Sequence, residues 1–269
     1  MSLDTAERAV REGNLDEGLR QLQEQVRKDP ANAKLRVFLF QLLAVDGEWE
    51  RALTQLEVAA ELDASVLAMA RMYGEAVRCE LLRAEVFAGR RSPVVFGEPE
   101  EWLALLIESL LVSGTPRAGQ WQALRDRAFE AAPPSPGTLD GTPFDWIADA
   151  DMRLGPVCEA IINGRYYWVP FSRFSTIVLE APADLRDLVW MPAQFHFANG
   201  GEAVGLIPTR YPGSEQSPDC QVRLGRRTAW EERAPGVFCG LGQRVLTTDA
   251  GDHGLMDVRT VLIGAQAAQ

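Results

Sequence analysis

Gly13-Asn14-Leu15-Asp16 recurs 34 residues later as Gly47-Glu48-Trp49-Glu50. Carrying the offset forward aligns Leu19 with Leu53, Leu22 with Leu56 and Asp29 with Asp63. Self-similarity at such a spacing marks stacked supersecondary units. Each unit opens on a turn glycine and runs on as an amphipathic helix. The first of these helices is predicted over Leu15 to Lys28, ended by Asp29-Pro30-Ala31-Asn32, since proline cannot continue a helix. Gly18 and Ala52 are small residues where two helices can cross closely. One helical hairpin cannot bury its apolar stripe alone, so further helices must stack on it.

The 34-residue period together with Asp-Pro-x-Asn resembles the tetratricopeptide repeat, which implies antiparallel helix pairs. Downstream, Val66 to Phe87 keeps helical spacing through Leu67, Met69, Ala70, Tyr73, Val77, Leu81 and Leu82. Its glycine comes late, at Gly89, so the third unit departs from the template. After a loop from Arg90 to Gly97, Pro99 sits in the first turn of a helix through Leu111. Thr115-Pro116 reads as a cap and first-turn proline for a last helix ending near Ala131. About seven helices are expected in a tetratricopeptide-like domain over residues 1–131.

Pro133-Pro134-Ser135-Pro136-Gly137 stops any helix, and residues 132–143 are expected to form a short stiff linker. Beyond it the texture changes. Tyr166-Tyr167-Trp168-Val169, Ser175 to Leu179, Gln194 to Phe197, Ala203 to Ile207 and Val237 to Val245 are short β-branched or aromatic runs. Turn signals bound them, notably Asn163-Gly164, Asn199-Gly200-Gly201 and Tyr211-Pro212-Gly213. Residues 144–269 are therefore expected to form a small antiparallel sheet or barrel with one helix near Leu185, and the fold class is α+β. The tail from Gly264 to Gln269 has nothing to pack against and is expected to fray.

The net charge is −11, divided as −6 over residues 1–132 and −5 over the rest. Neither half is a hidden basic module, which argues against nucleic acid as a partner. Lys28 and Lys34 are the only lysines, a skew expected from a GC-rich genome. The N-terminus runs straight into charged residues without an apolar leader, and the longest apolar stretch, Trp102 to Val112, is broken by Glu108 and Ser109. It suits a buried helix and is too short for a bilayer. Cys79, Cys158, Cys220 and Cys239 lie far apart, as free thiols in a reducing compartment would. A cytoplasmic protein without a membrane partner is expected.

Signs of chemistry are sparse. His196 and His253 are the only histidines, and His196 alternates with Phe195 and Phe197, as a structural histidine in a strand would. No paired Cys or His spacing points to zinc. Gly240-Leu241-Gly242 comes nearest to a dinucleotide fingerprint, but Val245 stands where the third glycine belongs, so a turn or bulge explains it better. Asp145, Asp149 and Asp151, followed by Arg153, could ligate a hard cation and serve a metal-dependent hydrolase. Capping and an Asp–Arg pair account for them more simply. Asp249, Asp252 and His253 read as a polar hairpin turn. No catalytic residue, cofactor site or metal site is assigned. Trp49 and Trp102 fall at helical core positions, and Trp146, Trp168, Trp190 and Trp230 are expected to fill the C-terminal core.

Several C-terminal strings carry a closer resemblance. Asp145-Trp146-Ile147-Ala148-Asp149-Ala150-Asp151, Arg153-Leu154-Gly155-Pro156 and Asn163-Gly164-Arg165-Tyr166-Tyr167-Trp168-Val169-Pro170 resemble the ImpE family, also called SciE or TagJ. So do Asp184 through Pro192, Pro208-Thr209-Arg210-Tyr211-Pro212-Gly213-Ser214 and Gly240 through Arg244. The resemblance implies a non-enzymatic adaptor of the bacterial type VI secretion system. Its implied partner is the N-terminal helix of the small contractile-sheath subunit, with an indirect link to the AAA+ ATPase that recycles the sheath.

Helix-in-groove recognition is the expected mode. In the repeat register, Lys34, Val37, Phe38, Gln41 and Val45 from one unit, and Arg71, Met72, Glu75 and Arg78 from the next, would line the concave side. Phe38 and Met72 would hold the partner's apolar stripe, while Arg71 and Arg78 meet its acidic edge; alternatively both apolar side chains pack between helices. The C-terminal sheet is the other possible seat, and a structural scaffold that sets oligomer geometry is a third role.

Overall fold

The structure is a computed structural model that describes residues 3–113 and 118–264. Thr115-Pro116 and residues 265–269 lie outside the described residues. Among the described residues, seven α-helices fill the N-terminal half: α1 (Leu3–Arg11), α2 (Leu15–Lys28), α3 (Ala33–Val45), α4 (Trp49–Leu62), α5 (Leu67–Phe87), α6 (Glu101–Ser113) and α7 (Trp121–Ala131). Gly13 and Gly47 take φ of +85° and +74°, a region closed to most side chains, so each forces the turn inside its hairpin. Asn32 accepts a hydrogen bond from the Leu35 amide and caps α3. The expected hairpin register is observed, and α2 has the predicted bounds.

The strands are β1 (Val94–Val95), β2 (Gly137–Leu139), β3 (Thr142–Phe144), β4 (Ile147–Asp149), β5 (Val157–Ile162), β6 (Arg165–Pro170), β7 (Phe174–Leu179), β8 (Trp190–Phe197), β9 (Glu202–Pro208), β10 (Thr228–Ala234), β11 (Val237–Gly242), β12 (Val245–Thr248), β13 (Gly251–Gly254) and β14 (Thr260–Ile263). A short helix α8 (Cys220–Arg223) precedes β10, and the helix expected near Leu185 is a 3-10 turn over Leu185–Leu188. Nine strands make one sheet in the order β1-β6-β5-β9-β8-β7-β14-β2-β3; β10-β11 and β13-β12-β4 are smaller sheets. All pairings are antiparallel except β1 with β6.

Residues 132–143 are not a free linker. Ser135 is buried, Gly137–Leu139 pairs with β14, and Thr142–Phe144 closes the hairpin. The Leu262 carbonyl sits where a side chain at Gly137 would be, so the glycine here permits close strand approach rather than flexibility. Nor do the halves have separate cores. β5 is buried along its whole length because both faces are covered. Cys158, Ala160 and Ile162 face one cluster with Phe174, Phe195 and Val261. Val157 and Ile161 face a second cluster, which they share with α2 to α6.

Trp168 and Trp190 belong to that shared cluster rather than to a separate C-terminal core. The Trp190 ring stacks on Phe40 of α3 (6.5 Å, 10°) and tilts against Tyr73 of α5 (5.8 Å) and Trp49 (5.9 Å). Its indole N–H donates to Glu80 at 2.9 Å. Trp146 and Trp230, expected inside, are 40% and 42% exposed.

An ionic seam lies under these aromatics. Arg83 of α5 donates to both oxygens of Glu159 at 2.7 and 3.0 Å, and to Glu80 at 3.2 Å. Arg244 bridges Glu159 and Asp149. Tyr166 donates to Glu159 at 2.5 Å and accepts from the Trp168 indole at 2.7 Å. Burial raises the Glu159 pKa, but the Arg83 and Arg244 charges outweigh it and bring the carboxyl down to about 2. Asp149 goes the other way, pushed up to about 6 by burial despite Arg244. Glu80 is likewise raised by burial.

Candidate partner-binding surface

In stacked hairpins of this type the first helices, here α1, α3 and α5, face the concave side. In this chain the C-terminal half occupies much of that side. Arg210 donates from beneath α3 to the Ala44 and Val45 carbonyls and to Arg223 at the end of α8. A buried cation at these helix C-termini satisfies carbonyls that have no partner within the helix. Burial lowers the Arg210 pKa to about 10. Leu185 and Leu188 of the 3-10 turn pack on the shared core, and Asp187 closes a capping box with Asp184 that holds the turn.

The nine residues expected in one groove are thereby divided. Val45 is fully buried, and its carbonyl is taken by Arg210. Lys34, Val37, Phe38 and Gln41 line a cleft of about 470 Å³ between α1, α3 and the 182–188 segment, closed by Arg226. Arg71, Met72 and Glu75 wall a separate groove of about 450 Å³ between α5 and the outer face of the large sheet. Arg78 does not line it; it pairs with Glu75 at 2.8 Å on the exposed helix surface.

The floor of the α5 groove comes from strand residues that sequence reading left out. Two cross-strand rows build it. Val178, Gln194 and Val204 lie opposite one another on β7, β8 and β9, and Pro192, Leu206 and Ile161 do so on β8, β9 and β5. Paired residues share a face, so Val204 and Leu206 point away from the cluster that takes Ala203 and Ile207. Val204 is 73% exposed and Met72 46%. The rim is polar, with Arg71, Glu75, Asn163 and Glu180, and Gln194 is the polar member of an otherwise apolar floor. An apolar floor with a charged rim suits an amphipathic segment better than a small polar substrate.

The carboxylates of the hydrolase alternative do not converge. Asp145 is exposed and its amide donates to Asp249, whereas Asp149 and Asp151 are buried. Asp149 is held by Arg244 and the Tyr211 hydroxyl, and Asp151 by Arg153 and the Gly240 amide. Arginine and protein donors thus occupy the oxygens a cation would need. Among the described residues no three His, Cys, Asp or Glu side chains gather as a metal site would require. Burial pushes the Cys79 and Cys158 thiols up to about 12 and Cys239 to about 11, so they stay protonated and poorly nucleophilic. His196 is part-exposed beside Glu202, on the strand face opposite Phe195 and Phe197. Among the described residues no helix is long and apolar enough to cross a membrane.

Comparison with known proteins agrees with the strings read in the sequence. Residues 141–262 match the family described as ImpE protein. The type VI secretion system accessory component TagJ of Pseudomonas aeruginosa is 52% identical over 254 residues, covering 94% of this chain and 89% of the relative. The crystal structure of protein VPA1032 from Vibrio parahaemolyticus superposes with a TM-score of 0.88 at 27% identity, covering 98% of each chain. The chain therefore belongs to the ImpE family, that of the secretion accessory component TagJ.

Proposed function

We propose that this chain is a non-enzymatic, cytoplasmic adaptor of a type VI secretion system. It holds the N-terminal helix of the small contractile-sheath subunit in the groove between α5 and the large sheet, and so links to sheath assembly or ATPase-driven recycling. The groove itself carries the reading: Met72 on its wall and Val204 on its floor are large apolar side chains left exposed, a form of exposure that marks protein contacts. Arg71 and Glu75 flank Met72 and can pair with both signs of charge on an amphipathic helix. The cleft beside Lys34, Val37, Phe38 and Gln41 is the second seat, with a more mixed lining of Glu7, Arg11, Asp184 and Arg226.

The test is co-purification of the full chain with sheath subunit that has or lacks its first helix, using Val204→Asp and Lys34→Glu variants. Capture that depends on the helix and is lost in Val204→Asp supports the α5 groove. Loss only in Lys34→Glu moves the seat to the α3 cleft, and capture without the helix removes the proposal.

A further inference from the structure

Asp145-Trp146-Ile147-Ala148-Asp149-Ala150-Asp151 is only half explained by the ionic seam. Successive side chains of a strand face opposite ways. Ile147 and Asp149 turn into the core, while Trp146, Ala148 and Ala150 turn toward a recess of about 470 Å³. Its opposite wall is Phe129, Ala132, Pro133 and Pro134 at the end of α7. Apart from Asp149, which Arg244 neutralises, the lining is uncharged, and no arginine or lysine contributes to it.

The surroundings are acidic. Thr247 pairs with Ala148 on one side and with Asp252 on the other, so Asp252 lies on the recess face of this sheet. Asp249 accepts from the Asp145 amide at 2.8 Å, which places two more exposed carboxylates next to Trp146. Trp146 is 40% exposed at the mouth, and an indole face attracts cations. The recess shares no lining residue with the α5 groove.

We infer that this recess is a second docking surface, for an apolar protein segment flanked by arginine or lysine. The apolar part fills the space between Trp146 and Pro133. The flanking cations meet Asp145, Asp249 and Asp252 and lie against the Trp146 ring.

The test uses two fluorescein-labelled peptides with the same leucine–alanine centre, one flanked by arginines and the other by glutamates. Binding to the full chain is followed by anisotropy. The arginine-flanked peptide is expected to bind and the glutamate-flanked one not to. Trp146→Ala and Asp252→Lys should each weaken the first peptide roughly tenfold while leaving circular dichroism and melting unchanged, since both side chains are exposed. Val204→Asp should leave this binding intact, which separates it from the sheath-helix reading. Equal binding of both peptides, or undiminished binding by Trp146→Ala, would overturn the inference. So would a dimer in sedimentation that Trp146→Ala dissociates, since the recess would then belong to a second copy.

Discussion

Arg83 of α5 and Glu159 of β5 stand 76 residues apart in the chain and meet in a two-pronged ion pair whose side chains are 4% and 0% exposed. The pair joins the helical half to the sheet at the floor of the concave side. Removing one member leaves the other buried with only part of its partners, Arg244 for Glu159 and Glu80 for Arg83, and breaking a buried pair typically costs about 3–5 kcal/mol. Arg83→Met and Glu159→Gln are each expected to lower stability by about that much, read from urea denaturation midpoints.

The same seam sets an acid dependence. Glu159 is held down to about 2, so its stabilising contribution is complete above 4.5 and is lost as pH falls from there toward 2. Asp149, pushed up to about 6, acts oppositely: its contribution is complete below 3.8 and is lost as pH rises toward 6. Stability measured against pH should therefore show a flatter limb below 4.5 in Glu159→Gln. Asp149→Asn should remove a decline between 3.8 and about 6.

The Arg210 guanidinium donates to carbonyl oxygens at the ends of α3 and α8. Hydrogen bonds to a charged group are worth about 1.5–3 kcal/mol each. Arg210→Met is expected to destabilise by at least about 3 kcal/mol. Arg210→Lys should recover only part of this, because an ammonium cannot span the same carbonyls as a planar fork.

Trp190 sits among Phe40, Trp49 and Tyr73, contributed by the other half of the chain. Truncating such a buried ring costs about 3–5 kcal/mol, and Trp190→Ala should lose that much. The shared core also predicts that fragments 1–131 and 138–269 do not fold apart, and that the full chain melts in one transition by calorimetry. Two well-dispersed NMR spectra from separate fragments would contradict this.

The helical order was legible because the repeat glycines and the Asp-Pro-x-Asn stop are local signals. α3 carried a further signal: Phe38 to Val45 is apolar on nearly every side except at Gln41. A helix apolar all round is buried all round, so only the start of α3, at Lys34 and Val37, keeps a side open beside the cleft. β5 went unread because Val157-Cys158-Glu159-Ala160-Ile161-Ile162 lacks polar alternation, as expected of a strand covered on both faces. β2 was hidden by the prolines that precede it, Pro133, Pro134 and Pro136, which suggested a spacer although Gly137 and its approach to Leu262 allow the pairing. The floor of the α5 groove is non-local: Val178, Gln194 and Val204 become neighbours only through sheet register. One hint was available. Val204 and Leu206 alternate with Ala203 and Ile207, so β9 is apolar on both faces although its first half is exposed or half-buried.

The most direct measurement is calorimetric titration of the full-length chain with a peptide of the sheath subunit's first helix, comparing wild type with Val204→Asp and Met72→Asp. Saturable binding to wild type, weakened at least roughly tenfold in both variants with their melting unchanged, is the predicted result. Equal affinity for all three proteins would contradict the assignment of the α5 groove as the seat.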